Sequence, residues 1–195
     1  MGARFFHLTR PTPQLASGVG AGAFSYPDVG ATNGPPPTGW PVDRRVGDVG
    51  IGQLDYEQGR ALIDSLAMFD QDWLHLMCEG PPSPGKGVVF ASWQFGLWSL
   101  NACRVVYMID ETTETHSTYG FAYGTLEDHA VAGEERFSLR WNRQTDRVTF
   151  EVYKFSRLRH PLVVLAGPVA RIIQRRFSDK AIARIRRGIL ESEHV

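Results

Sequence analysis

The sequence predicts an α+β fold in which a strongly curved antiparallel sheet wraps around a long C-terminal helix. Two observations lead there. The middle of the chain consists almost wholly of β-branched and aromatic runs separated by short breaks, and the last segment carries apolar residues at helical spacing. Short connections make successive strands antiparallel neighbours, and a helix with one apolar stripe must bury it against a second layer. One bent sheet gripping one helix satisfies both demands.

In chain order, residues 11–41 come first and are rich in Gly, Pro, Ala and Ser. The stretch GATNGPPPTGWP excludes a regular helix or a central strand, because proline lacks a donor and glycine favours turns. Composition leaves open whether this arm is ordered. A strand over 44–53 follows, then a helix through LDYEQGRALIDSLAMFD, with Asp55 as its cap, Gln58 completing a capping box, and Ala61, Leu62, Leu66 and Phe69 on one stripe.

The strands are expected in WLHLMC, GVVFASWQF, ACRVVYMID, TYGFAYGTL, ERFSLRW and VTFEVYKF. Breaks fall at EGPPSPGKG, FGLWSLN, DETTETHS, the acidic tract and NRQTDR. From Pro161 to about Leu190, Leu162, Leu165, Val169, Ile172, Ile173, Phe177, Ala181 and Ile185 form the helical stripe, over a length of roughly 40 Å. Gly167-Pro168 should kink or divide this helix. The chain thus reads as an N-terminal arm over 1–41, a single helix-grip domain over 42–190 and a tail over 191–195.

With 195 residues and a formal net charge of +0, the chain suits one domain with a sizeable core and offers no bulk charge for DNA. No apolar run is long enough to cross a membrane or to serve as a signal peptide, so a cytoplasmic protein is expected. Met1-Gly2 lacks the acylation pattern, since Phe6 stands where Ser or Thr is wanted. Cys78 and Cys103 sit in apolar runs and read as buried thiols. The glycines at 18, 20 and 22 and at 47, 50 and 52 do not make a dinucleotide fingerprint.

Several ordered motifs carry a resemblance: YPDVGATNG, FGLWSLNACRVVYMIDE, YGFAYGTLEDHAVAGEERF, FSRLRHPL and GPVARIIQRRF. Over residues 24–188 the chain resembles a family of small bacterial and plant proteins classed as a domain of unknown function, the YndJ-like family. The resemblance implies no established activity. It implies kinship with START and pollen-allergen helix-grip proteins, which enclose apolar ligands between sheet and helix.

The tract from Tyr119 to Trp141 poses the main chemical question. Tyr119, Phe121, Tyr123 and Thr125 share one strand face, while Gly120, Ala122 and Gly124 leave the other bare for close approach by the long helix or a flat ligand. Glu127, Asp128 and His129 are adjacent, so their side chains diverge; a solvated loop is expected and no metal. Glu134 and Glu135 re-enter the sheet, and whichever points inward needs a cation or a donor. Arg104 could supply the charge, or could lie on an exposed face in a cross-strand pair.

Asn101, Arg104, Tyr107, Tyr123, Glu134 and Glu135 are therefore the candidate polar patch in an otherwise apolar cavity. No catalytic residue and no cofactor is assigned, because GxSxG, GK[ST] and HExxH patterns do not occur. The expected function is binding of a small apolar or amphipathic molecule. A cyclase- or hydrolase-type enzyme using Glu134 or Glu135 with Tyr123 and Arg104 is an alternative. Another is an interaction module in which the basic helix, with Arg171, Arg175, Arg176, Lys180, Arg184, Arg186 and Arg187, meets RNA or an anionic membrane surface.

Overall fold

The computed structural model describes residues 6–12, 14–15 and 22–192. Met1, Gly2, Gly18 and Gly20, on which the acylation and dinucleotide readings bear, lie outside the described residues. Strand β1 (Phe6–His7) is followed by the arm, β2 (Val42–Ile51), helix α1 (Gly52–Asp64) and β3 (Leu74–Leu76). Then come β4 (Gly87–Gln94), β5 (Leu97–Thr112), β6 (His116–Thr125), β7 (Val131–Asn142) and β8 (Arg147–Leu158), and finally α2 (Pro161–Leu165) and α3 (Gly167–Ser192). The sheet runs β2-β8-β7-β6-β5-β4-β3 with every pair antiparallel, and β1 adds to β5. Its curvature makes a half-barrel around α3, the helix-grip arrangement that the meander and terminal stripe predict.

The inward face is aromatic because alternate residues of β6, β7 and β8 are: Phe121, Phe137, Leu139, Val148 and Phe150 are all fully buried. From its middle onward α3 closes this core with Phe177, Ala181, Ile185 and Ile189. Gly47 on β2 makes the close crossing possible, since a Cβ there would stand 2.5 Å from Ile182 Cγ2.

Three expectations change. The helix following β2 begins at Gly52, and Asp55, one turn inside, reaches back to accept the Ile51 N–H at 2.7 Å, so it is not the cap residue and Gln58 makes no box. The break expected at FGLWSLN narrows to a two-residue turn, Phe95-Gly96, after which β5 starts at once.

The stripe of the terminal segment does not pack along its whole length. Leu165 is 84% exposed and Ile172 63%, because Pro168 breaks the helix and its first turns stand beyond the filled core. The side chain of Leu162 lies outside the described residues.

Candidate functional site

The six candidate residues fall on two faces of the sheet. A register shift between Val105 and Tyr107 places a bulge in β5, so Tyr107 opposes Ala122 on the outer face while Met108 opposes Phe121 on the inner. Simple alternation puts Tyr107 with Cys103 and Val105; the extra residue reverses it. The outer face thus holds Arg104, Tyr107 and Glu134, and the inner face Asn101, Tyr123 and Glu135.

On the outer face the arm comes down onto the sheet. Phe24, Tyr26, Ala31 and Trp40 pack against Ala132 and Phe155 in a small core of their own. Arg104, Gly124 and Glu134 lie in one cross-strand row, and Tyr26 occupies the space above the glycine, where a Cβ would come within 2.0 Å of its hydroxyl oxygen.

At Gly124 the bare face of β6 is therefore covered by a tyrosine of the arm and not by the helix. Glu134, 2% exposed, receives hydrogen bonds from Tyr26 Oη at 2.6 Å, Gly30 N at 2.7 Å, Thr32 N at 2.8 Å and the Thr32 hydroxyl. Tyr107 Oη lies 2.7 Å from that hydroxyl, and Arg136 donates to Thr32 O at 2.6 Å. Burial, and then the bond to Glu134, push the Tyr26 phenol up. Arg104 donates to Gly22 O at 2.8 Å and stands over the Phe24 ring. The expected capture of Glu134 or Glu135 by Arg104 is thus replaced, because neutral donors of the arm and a lysine take the two carboxylates.

That lysine is Lys154. On the inner face its Nζ donates to Glu135 Oε1 at 3.0 Å, to Ser178 Oγ at 2.8 Å and to Gln174 O at 3.1 Å, using all three ammonium donors. Tyr123 donates to the other oxygen of Glu135 at 2.6 Å, and burial together with the Glu135 charge raises its pKa well above the ordinary phenol value. Sequence reasoning missed Lys154, although its position was legible: it alternates with Val148, Phe150 and Val152, so it must face inward with them.

Beside this pair opens a cavity of about 350 Å³ between the sheet and the first half of α3. Phe90, Leu97, Val163, Val169, Ile173 and Phe177 line it, with Glu135 and Lys154 at its polar side. Asn101 also lines it and donates to Ser99 Oγ at 3.2 Å, while Ser99 and Ser92 share a hydrogen bond of 2.6 Å. Glu134 borders the cavity, but its carboxylate belongs to the arm.

The acidic tract behaves as a loop. Glu127 and Asp128 are exposed, and no group of three His, Cys, Asp or Glu residues suited to a metal occurs among the described residues. His129 accepts the Val131 N–H on Nδ1 at 3.0 Å, and burial pulls its pKa down to about 4. Cys103 is buried and its thiol pKa is raised, chiefly by that burial, which leaves it unsuited to nucleophilic work.

Residues 25–184 match the family described as Domain of unknown function (DUF1990). A "UPF0548 protein" of Deinococcus radiodurans is 35% identical over 194 residues, covering 88% of this chain and 92% of that one. Another from Dictyostelium discoideum is 33% identical over 144 residues, covering 70% and 67%. "UPF0548 protein At2g17695" of Arabidopsis thaliana is 29% identical over 133 residues, covering 67% and 64%. Among solved structures, Ara h 8.0201 is 15% identical with a TM-score of 0.49, covering 78% of this chain and 99% of its own. None of these carries the name YndJ-like. With most of its length matched by the family model and by the Deinococcus relative, the chain belongs to the DUF1990 family of uncharacterised UPF0548 proteins.

Proposed function

We propose that the chain binds a small apolar or amphipathic molecule in the cavity between the sheet and the first half of α3. The observation that carries this reading is the cavity itself: about 350 Å³, walled by Phe90, Leu97, Val169, Ile173 and Phe177, with a few polar groups along one side. Pockets for small molecules have this size and this mixture. The Glu135–Lys154 pair is internally satisfied, so it marks the polar end of the site without demanding a charged ligand.

The catalytic reading has less support, because Glu135 and Tyr123 meet on the inner face but Arg104, the anion stabiliser it also needs, belongs to the opposite face beneath the arm. Free thiols at Cys78 and Cys103 favour a reducing compartment such as the cytoplasm.

The test has two parts. Native mass spectrometry of protein purified from its own host asks whether a small molecule is retained. Titration with an apolar fluorescent probe such as anilinonaphthalene sulfonate is then compared between wild type and Ile173→Trp. Filling the cavity should weaken the probe at least about tenfold while leaving the denaturation midpoint in place. A native protein that binds no probe, or binds it equally after Ile173→Trp, refutes the reading.

A further inference from the structure

The turn between β4 and β5 is built against its own geometry. Phe95 and Gly96 connect the strands with φ of 51° and 78°. Such left-handed two-residue turns favour Asn-Gly, and a bulky residue at positive φ is strained. Here that residue is a phenylalanine, 82% exposed, at the rim of the cavity. Neither local conformation nor burial accounts for it.

Across the same cavity, α2 and the start of α3 present further exposed apolar side chains: Val164 at 52%, Leu165 at 84%, Val169 at 41% and Ile172 at 63%. Val169 lines the cavity with Phe95, as do Val163 and Ala166, the chain neighbours of Val164 and Leu165. Of the exposed side chains, Leu165, Val169 and Ile172 are residues that helical spacing assigned to the core and that the fold leaves outside it.

Charge accompanies them. Residues 157–176 contain five arginines, at 157, 159, 171, 175 and 176, and no acidic residue. Further along α3 two of the basic residues have acidic partners, with Arg184 Nε 2.9 Å from Asp70 and Lys180 Nζ 3.7 Å from Asp72. Arg175 and Arg176 are exposed, form no ion pair among the described residues, and flank Ile172.

An exposed apolar rim edged by unneutralised arginines is complementary to lipid headgroups above acyl chains. Among the described residues no helix is long and apolar enough to cross a membrane. We propose that this rim docks on an anionic phospholipid bilayer, with Phe95 and Leu165 inserting on either side of the cavity mouth and Arg175 and Arg176 contacting phosphates. The surface does not depend on what the cavity holds, and vesicle partition reads it without any ligand.

The test is co-sedimentation of the full chain with vesicles of phosphatidylcholine alone and of phosphatidylcholine mixed with phosphatidylserine. Binding is expected only to the anionic vesicles and should weaken with added salt. The Phe95→Asn/Leu165→Ser variant should partition at least about tenfold less. Its thermal midpoint should equal or exceed that of wild type, since asparagine relieves the turn. Arg175→Glu/Arg176→Glu should lower partition at least about thirtyfold.

Absence of binding to the anionic vesicles overturns the proposal, as does equal binding by Phe95→Asn/Leu165→Ser. Binding that ignores that variant, fails with the arginine reversals and is matched by a single-stranded RNA oligonucleotide makes the surface a nucleic-acid site, and the proposal falls. Self-association of wild type that is abolished by Leu165→Ser makes the rim an interface between copies, and it falls equally.

Discussion

Replacing Glu134 by Gln tests the join between arm and sheet with almost no change in volume. Each carboxylate oxygen accepts two donors: Tyr26 Oη and Gly30 N on one, Thr32 N and the Thr32 hydroxyl on the other. An amide nitrogen accepts none, so whichever way the side chain turns, one backbone N–H loses its acceptor and faces an N–H group, one hydroxyl must rotate to accept from the amide, and the remaining bonds lose their charge assistance. Hydrogen bonds to a charged group are worth about 1.5–3 kcal/mol each, so one lost and three weakened put the loss at about 3–6 kcal/mol if the arm stays in place. The arm will not stay at that cost. It should lift from the sheet and leave the half-barrel folded, which caps the measured destabilisation. The assay is therefore double: a denaturant midpoint, and limited proteolysis followed by mass mapping. Cleavage should appear between residues 22 and 41 at protease levels that spare wild type. A midpoint within about 0.5 kcal/mol of wild type together with an arm that remains protected would refute the reasoning.

On the inner face, Lys154→Met should cost about 3–5 kcal/mol, because it strands a buried carboxylate beside Tyr123. Adding Glu135→Leu should recover much of that loss, as a double-mutant cycle in denaturant will read. Ile185→Ala, at a fully buried position of α3, should cost about 2–5 kcal/mol, whereas Leu165→Ala should stay within about 0.5 kcal/mol; equal effects would contradict the divided helix.

The fourth prediction concerns pH. His129 has a folded pKa of about 4 against an ordinary 6.5, so the unfolded chain binds more protons between those values. Its contribution is complete above about pH 6.5 and is lost as pH falls toward 4. The pH dependence of stability in that window should flatten in His129→Asn, whose Oδ1 can still accept the Val131 N–H.

Sequence reading recovered what period alone determines. Alternation grouped Tyr119, Phe121 and Tyr123 on one face of β6 and Gly120, Ala122 and Gly124 on the other, as the sheet has them, but it did not tell which face turns inward to the helix. It also separated Glu134 from Glu135 onto opposite faces, though not which face served which partner. Tyr107 was placed wrongly because a bulge is one residue of extra backbone that composition does not announce. Leu165 and Ile172 were placed in the core because helical spacing describes a stripe and not what lies opposite it. The arm was least legible. YPDVGATNG has no period, and its order comes from convergence of its hydroxyls and amides on a carboxylate roughly 100 residues away.

That distance along the chain bears on synthesis. Tyr26 meets Glu134 across 108 residues, and β2 pairs with β8 across a similar interval. At ribosomal rates of about 5–20 residues per second, the arm waits roughly 5–20 s after emerging before its anchor exists. During that interval Phe24, Tyr26 and Trp40 travel uncovered on the nascent chain, next to a β2 edge that also has no neighbour. The Pro- and Gly-rich composition around them, unfavourable for any strand, then keeps the waiting segment from pairing with another chain.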